Sequence, residues 1–164
     1  MVSICPHCVR TIGTDWREFG ATFEIEHHSE LLARVGQASP PVKPAGSVVF
    51  HDPCYLGRYR NIYDQPRVVI ARAAEVVEPP RARERSFCCG AGGGQMFLGE
   101  EKGKRVNVTR VEELVGTGAD VIGTACPFCQ TMFRDALGVV TQSPPKLLDI
   151  AQIAAASLPP DAAT

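Results

Sequence analysis

Short apolar runs rich in β-branched residues alternate along this chain with stretches in which apolar residues recur every three or four positions. The runs are typical of buried strands, and the second pattern is typical of amphipathic helices. The predicted strands are residues 2–4, 23–26, 47–50, 75–78, 121–124 and 146–148. The predicted helices are residues 9–19, 30–35, 64–74, 102–117, 130–137 and 151–157. This alternation predicts an α/β fold with a parallel sheet.

The two ends of the chain share one motif. ICPHCVRTI at residues 4–12 and ACPFCQTMF at residues 125–133 follow the same plan, at an offset of 121 residues. With this offset, residues 28–35 fall on residues 149–156, each a short helical pattern after a strand. We therefore expect Rossmann-like pseudo-repeats, with the end of a first unit at residues 1–36 and a complete unit at residues 47–157.

Two segments lack any hydrophobic periodicity. Residues 37–46 combine three prolines with small residues, a composition that predicts a linker between the units. Residues 158–164 are short and proline-rich, and we expect them to form a disordered tail.

Composition and charge argue against several classes of function. With 17 basic and 18 acidic residues among 164, the chain offers no basic surface for nucleic acid. No apolar run approaches the roughly 18 residues of a membrane-spanning helix, and no basic segment leads into an apolar one at the N-terminus. We therefore expect a cytoplasmic protein. Its seven cysteines cannot all pair internally, which favours metal binding or redox chemistry.

Five of the cysteines have the spacing of a ligand set. Cys54 is followed after 33 residues by Cys88 and Cys89, and after 36 more by Cys126 and Cys129. Each segment follows a predicted strand, so in a parallel sheet all three would emerge at the carboxyl edge, where open α/β folds bind ligands. The last pair lies where a strand meets a helix, and the positive end of the helix dipole stabilises thiolates there.

The chemistry of this set favours an iron–sulfur cluster. Tetrahedral zinc takes four ligands, whereas adjacent thiols such as Cys88 and Cys89 suit a larger cluster. Gly90, Gly92 and Gly93 would let the backbone approach the cluster in conformations with positive φ. Other interpretations stay open, because a CxxC pair alone also suits zinc, a redox dithiol or plain burial. A glycine-rich loop is also often only a flexible turn.

The arrangement Cys54-x33-Cys88-Cys89-x36-Cys126-x2-Cys129 resembles the cysteine-rich CCG domain. This domain occurs, usually twice per chain, in heterodisulfide reductase catalytic subunits and in iron–sulfur subunits of glycolate and lactate oxidation systems. It also occurs in bacterial iron–sulfur oxidoreductases linked to acyl-CoA dehydrogenation. HDPCYLGRY at residues 51–59, ERSFCCGAGGGQMF at 84–97 and GADVIGTACPFC at 118–129 are most similar to the last group.

The resemblance implies that the five cysteines ligate a 4Fe-4S cluster, which is non-cubane in the heterodisulfide reductases. Electrons would pass through it, from a flavoprotein to a quinone, or to a disulfide in a heterodisulfide-type reductase. Cys5 and Cys8 would form an incomplete second site, completed by an N-terminal portion or subunit that carries the rest of the first motif. In such proteins a ferredoxin-like domain and often membrane helices precede the two motifs, so attachment at the inner face of the plasma membrane would come only through such regions or partners.

A rival of another class is a structural zinc module that serves assembly. In that case Cys126, Cys129 and two of the other thiols would close a tetrahedral site. Iron and acid-labile sulfide in the purified protein would favour the cluster, and stoichiometric zinc would favour this rival.

Four further groups of residues are candidates for a role beside the cysteines. His51 could ligate iron, donate to a cluster sulfur or cap the Cys54 loop, and the last two roles are favoured. Tyr59 belongs to a polar aromatic group that could line a pocket, although packing is favoured. Arg85, like Arg81 and Arg83, would offset the charge of the cluster if it faces the site, and is otherwise part of a solvated loop. For His27 and His28, capping or packing is favoured over metal ligation.

Overall fold

The structure, a computed structural model, describes residues 1–37, 46–98 and 103–158. Within these ranges six parallel strands form two sheets, and seven α-helices pack around them, which confirms the predicted α/β class. Most of the predicted linker and most of the predicted tail, residues 38–45 and 159–164, lie outside the described residues.

The strands and all helices except α3 overlap the predicted ones, and only β3 and β5 agree with the prediction at both ends. The strands are β1 (Val2–Ser3), β2 (Glu26–His27), β3 (Ser47–Phe50), β4 (Glu75–Val77), β5 (Val121–Thr124) and β6 (Lys146–Asp149). The helices are α1 (Pro6–Gly13), α2 (His28–Gly36), α3 (Cys54–Arg60), α4 (Asp64–Ala71), α5 (Val106–Val115), α6 (Pro127–Val140) and α7 (Ile150–Ala155). Among the described residues, none of these helices is long and apolar enough to cross a membrane.

The main sheet has four parallel strands in the order β4-β3-β5-β6. The chain runs from β3 outward to β4, returns past β3 to β5 and continues to β6. The direction of winding therefore reverses between β3 and β5. Open α/β sheets bind ligands at such a switch point, outside the carboxyl ends of the strands.

Side chains of the main sheet alternate between two apolar cores. Val49 of β3 and Ile122 of β5 belong to the core that contains residues of α5 and α6. Val48 and Phe50 belong to the opposite core, with residues of α3, α4 and α7. By the same alternation His51, the residue after β3, points to the face of α5 and α6.

Helix α3 is absent from the predicted set, because its sequence gives little local signal for a helix. Glycine is a poor helix former, and Gly57 lies in the middle of α3. Tertiary packing offsets the low helix propensity of Gly57. Leu56 is fully buried, and the ring of Tyr63 packs so close to Gly57 that a Cβ there would collide with it. Asn61, in the left-handed conformation at φ 57°, then ends the helix.

Residues 1–37 repeat the element order of residues 121–155. β1 pairs with β2 in the same way that β5 pairs with β6. In both segments a helix follows each strand: the order is β1-α1-β2-α2 in the first and β5-α6-β6-α7 in the last. The helix N-caps His27 and Asp149 are 122 residues apart, so the constant offset of 121 is wrong beyond the cysteine pairs. One more residue separates Cys129 from the N-cap Asp149 than separates Cys8 from the N-cap His27. Helix α2 packs on α4 and α7 and so joins residues 1–37 to the rest of the fold.

Candidate metal centre

Three segments bring five cysteines to the carboxyl edge of the main sheet. Cys54 begins α3 shortly after β3, and Cys126 is the N-cap of α6 shortly after β5. Cys88 and Cys89 follow β4, beyond a 3-10 turn at Arg83–Arg85. Cys54 and Cys126 therefore flank the switch point, and the three segments emerge at one edge, as a parallel topology requires.

The first turn of α6 holds the Cys126–Cys129 pair. Pro127 occupies a first-turn position, where its missing N–H costs no helical hydrogen bond. Cys126 is extended, with φ −159° and ψ 125°, and its carbonyl accepts the N–H of Gln130 at 3.0 Å. Both cysteines are buried at the positive end of the helix, which favours thiolates.

Three buried ligand atoms meet beneath this turn. The sulfurs of Cys89 and Cys129 and a ring nitrogen of His51 all lie within 4.8 Å of one another. Cys54 and Cys88 are half-buried beside them. In the part of the chain that the structure describes, these three atoms have the spacing that a bound metal ion requires.

The thiols share protons through hydrogen bonds between sulfurs. Cys129 bonds to both Cys126 and Cys89, which raises the pKa of Cys129 well above that of a free thiol. The bond from Cys129 lowers the pKa of Cys126 to about 5, against the effect of burial. Bonds from Cys129 and then Cys88 lower the pKa of Cys89. Burial raises the pKa of Cys54, and the charge of Cys89 adds to the effect. Cys126 and Cys89 are therefore thiolates, the ligating form, at neutral pH.

His51 is held by a buried arginine. Nε of Arg110, on α5, donates to Nδ1 of His51 at 3.2 Å. Nε2 of His51 is buried and has no hydrogen-bond partner among the described residues. Burial lowers the pKa of His51, and the charge of Arg110 lowers it further, against the opposing effect of the nearby Cys89 thiolate. The imidazole is therefore neutral.

Asp52 ties the end of β3 to the segment before Cys88. Its carboxylate accepts two N–H groups of Arg67, at 2.7 and 3.0 Å, and the backbone N–H of Arg83 at 2.8 Å. Its carbonyl accepts the hydroxyl of Ser86 at 3.1 Å. The adjacent cysteine pair is thereby fixed against β3.

The three candidate glycines have different surroundings. Gly90 has φ +87°, and a Cβ there would lie 3.2 Å from both Cβ of Val106 and the backbone nitrogen of Asn107. Its N–H donates to the sulfur of Cys88 at 3.3 Å. Gly92 and Gly93 are exposed, with nothing within 4 Å of a Cβ at either. A positive φ is present at Gly93 (65°), but the expected positive φ is wrong at Gly92, which lies in a 3-10 turn.

His7 lies between the N-terminal cysteine pair, Cys5 and Cys8, and Cys126. Cys5 is the buried N-cap of α1, and Cys8 is exposed. Nδ1 of His7 lies 3.9 Å from the sulfur of Cys5 and 4.0 Å from that of Cys126. Bonds to Cys126 and then Cys5 raise the pKa of His7 to about 9. The ring of His7 also stacks on Tyr55, with 3.9 Å between centroids.

Tyr59 and Arg85 lie at the surface. Tyr59 stacks on Tyr55 with 4.6 Å between centroids, and the guanidinium of Arg10 lies 4.7 Å above it, contacts that agree with a packing role. Arg85 is exposed in its 3-10 turn. Arg81 is paired with Glu113 at 2.7 Å and Arg83 with Asp64 at 2.9 Å, so their charges are compensated by carboxylates.

The capping role of His27 is confirmed. Its Nδ1 accepts the N–H of Ser29, and Glu30 completes a capping box at the start of α2. Its Nε2 also lies 3.1 Å from the carbonyl of Ala125, the residue before Cys126. His27 therefore connects the start of α2 to the segment that carries Cys126.

Two residues that contact the site are missing from the sequence-based set. Arg110 lies on the apolar stripe of α5 with Asn107, Val111 and Leu114, and all four are buried. A cation at an apolar position of this kind is a signal for a buried partner. His7 occupies the place in the Cys5–Cys8 pair that Phe128 has between Cys126 and Cys129. This difference between the two motifs is the only sign in the sequence that His7 could have a role at the site.

Comparison with known proteins adds a family and three relatives. The profile of the cysteine-rich domain family, CCG, matches residues 48–134. The chain is 40% identical over 140 residues to the probable iron-sulfur-binding oxidoreductase FadF of Bacillus subtilis, covering 82% of this chain and 20% of the relative. It is 37% identical over 166 residues to the EtfAB:quinone oxidoreductase of Syntrophomonas wolfei, covering 93% of this chain and 23% of the relative.

The third relative is a subunit of the dihydromethanophenazine:CoB–CoM heterodisulfide reductase of Methanosarcina barkeri. Identity is 35% over 139 residues, covering 80% of this chain and 34% of the relative. The chain therefore spans between 20% and 34% of the length of these three relatives.

Proposed function

Because this chain belongs to the cysteine-rich CCG domain family, we propose that it is part of an iron–sulfur electron-transfer oxidoreductase. The observation that carries the proposal is the meeting of Cys89, Cys129 and His51 within 4.8 Å, buried at the carboxyl edge of a parallel sheet. The other members of the five-cysteine set adjoin this point: Cys54, Cys88 and Cys126.

The donor set fits an iron–sulfur cluster better than a single ion. Five thiols exceed the four ligands of tetrahedral zinc, and backbone N–H groups such as that of Gly90 donate to sulfurs around such clusters. The proposed ligands of a 4Fe-4S cluster are Cys54, Cys88, Cys89, Cys126 and Cys129. The open space beside Gly92 and Gly93 leaves room for the backbone to approach it. When bound, the cluster would supply a store for single electrons.

We propose that electrons arrive from a reduced flavoprotein and leave to a quinone. The name EtfAB:quinone oxidoreductase, given to the Syntrophomonas relative, supports the quinone. Cys54 and Cys88 are half-buried and Gly92–Gly94 is exposed, whereas the other three sulfurs of the set belong to buried residues. A redox partner would therefore approach from the side of Cys54 and Cys88, whose residues are the least buried of the five proposed ligands.

Reduction of a disulfide at the same site is the second enzymatic candidate. Its support is the 35% identity to a component of a heterodisulfide reductase. The half-buried position of Cys54 and Cys88 gives a disulfide sulfur a route to the site from solvent.

A structural zinc site is the candidate from another class. Cys89, Cys129 and His51 form a buried set of three ligand atoms, and Cys126 bonds to Cys129 beside them. Four such ligands would satisfy tetrahedral zinc. On this alternative Cys54 and Cys88 would take no part.

We propose further that residues 1–36 are the end of a first CCG unit and that residues 47–157 form a complete one. β5 has neighbours on both sides, β3 and β6, whereas its counterpart β1 pairs within the described residues with β2 alone. Val2 and Ile4 are exposed at this position. An N-terminal portion or subunit would pair with β1 and supply the ligands that Cys5 and Cys8 lack. Attachment to the plasma membrane would come through such parts.

Metal analysis after anaerobic reconstitution tests the proposal. We expect a brown protein with iron and acid-labile sulfide in equal amounts, about four of each per chain. Its absorption and electron paramagnetic resonance spectra then distinguish cubane from non-cubane clusters. A colourless protein with one zinc and no sulfide would overturn the proposal in favour of the zinc site.

A further inference from the structure

The contact between Arg110 and His51 determines which ring nitrogen carries the proton. A guanidinium has only N–H donors and no acceptor. Its Nε lies 3.2 Å from Nδ1 of His51, so Nδ1 must accept. In a neutral imidazole one nitrogen accepts and the other donates. The hydrogen is therefore on Nε2.

Arg110 has no freedom to turn away from His51. Its side chain is fully buried. Nη1 donates to the carbonyl of Arg81 and to the carboxylate of Glu113, each at 3.0 Å, and Nη2 lies 3.4 Å from the hydroxyl of Ser86. These contacts hold the guanidinium on three sides, so Nε stays directed at His51.

The Nε2–H group that results has no partner of its own. Buried N–H donors are nearly always paired, because an unpaired donor loses its hydrogen bonds to water and gains none in return. His51 is 1% exposed, and Nε2 has no partner in the described ranges. A ring nitrogen of His51 lies within 4.8 Å of the sulfurs of Cys89 and Cys129, and Nδ1 is engaged by Arg110. Phe133, edge-on at 4.7 Å, limits rotation of the ring.

From these contacts we propose that Arg110 is a positioning residue that holds His51 with its proton on Nε2, so that His51 donates to the sulfur of Cys89 and does not ligate metal. The consequence for a cluster rests on the proposed function, whereas the position of the proton does not. An N–H donor to a ligand sulfur stabilises the more negative, reduced state and so raises the reduction potential.

Nuclear magnetic resonance of the ring nitrogens tests the position of the proton without a cluster. The full chain is labelled with ¹⁵N in histidine, kept reduced and freed of metal, and the signal of His51 is identified by its loss in His51→Gln. We expect the Nε2–H form in the native chain and a rise of the Nδ1–H form in Arg110→Met. Arg105→Met, which removes a half-exposed arginine paired with Asp135, serves as the control and should change nothing.

An Nδ1–H or doubly protonated His51 in the native chain would overturn the proposal, and so would an unchanged signal in Arg110→Met. If Arg110→Met does not fold, the native signal still decides where the proton lies.

Spectroelectrochemistry of the reconstituted chain tests the consequence. We expect His51→Leu to retain the native iron content and to shift the midpoint potential to a more negative value. His51→Gln keeps an N–H donor and should shift it less. Loss of iron in His51→Leu, or an unchanged potential, would overturn the donor role. If the native chain takes up no cluster, the proposed function fails while the resonance experiment still decides the inference.

Discussion

Nε2 of His28 and Oδ1 of Asp149 are hydrogen-bonded at 2.9 Å, although the two residues are 121 positions apart. His28 is the first residue of α2, and Asp149 is the N-cap of α7. The bond therefore joins the start of α2 to the start of α7, and it connects residues 1–37 to the last helix of the chain.

Replacement of Asp149 tests how strongly this junction stabilises the chain. Oδ1 of Asp149 also accepts the N–H of Ala151 at 2.8 Å, so Asp149→Ala removes a helix cap as well as the bond to His28. We expect the free energy of unfolding to fall by about 1–3 kcal/mol. Asp149→Asn keeps a capping oxygen and should cost less. Urea denaturation measures the loss in each variant. Equal losses would mean that the charge of Asp149, and not its capping oxygen, carries the stabilisation.

The acid stability of the chain should depend on His27. Burial, and then the charge of His28, lower the pKa of His27 to about 4, whereas the unfolded chain has a pKa near the ordinary 6.5. Between these values the unfolded state binds more protons, so stability falls as the pH drops from 6.5 to 4. The loss reaches at most about 3 kcal/mol.

Unfolding of His27→Asn across the same pH range isolates this contribution. Asparagine is a good N-cap and does not titrate, so the slope of stability against pH should be smaller. An unchanged slope would assign the acid sensitivity to other groups.

Replacement of Cys89 should abolish iron binding more completely than replacement of Cys5 or Cys8. Cys89 is 5% exposed and its sulfur lies within 4.8 Å of that of Cys129, whereas Cys8 is exposed in the incomplete pair. The measurement is iron and sulfide content after reconstitution of Cys89→Ser, with Cys8→Ser as the matched control. Retention of native iron in Cys89→Ser would contradict the assignment of the five ligands.

The glycine variants separate backbone strain from contact with a cluster. Gly90→Ala should destabilise the chain even without metal, because of its φ of +87° and the 3.2 Å approach to Val106. Gly93→Val is strained by its positive φ, but Gly92→Val meets open space and no such strain. We therefore expect Gly92→Val to keep native stability and yet to impair cluster loading. Normal loading of Gly92→Val would mean that this part of the loop is only a turn.

Alkylation should modify Cys8 before Cys5. Cys8 is exposed and Cys5 is 8% exposed. A bond with Cys5 raises the pKa of Cys8, so its rate should increase as the pH rises above neutrality. For Cys5, burial raises the pKa, but bonds from His7 and the backbone outweigh it and lower the pKa. Mass spectrometry after brief iodoacetamide treatment measures how far each of the two cysteines has been alkylated. Faster reaction at Cys5 would mean that the thiolate fraction, and not access, controls the rate.

Much of the secondary structure was predictable, because short strands and amphipathic helices leave a local pattern. The bounds of β3 and β5 agree with the prediction at both ends. The prediction is poorer where a helix depends on its surroundings. Helix α3 is not predicted, because the local sequence does not show that packing against Tyr63 makes glycine acceptable at position 57. Helix α5 begins at Val106, four residues later than predicted, and residues 99–102 lie outside the described ranges.

The sequence by itself determined that five cysteines lie at one edge of the main sheet, since the thiols follow strands and parallel strands end at the same edge. Only the tertiary structure decided what surrounds them. Arg110 reaches His51 across 59 residues, and His7 reaches Cys126 across 119. Such contacts leave no periodic trace in either segment, because they depend on how α5 and α1 pack against the ends of β3 and β5. Spacing along the chain can predict a set of ligands, but the hydrogen bonds that orient these residues exist only after the helices have packed on the sheet.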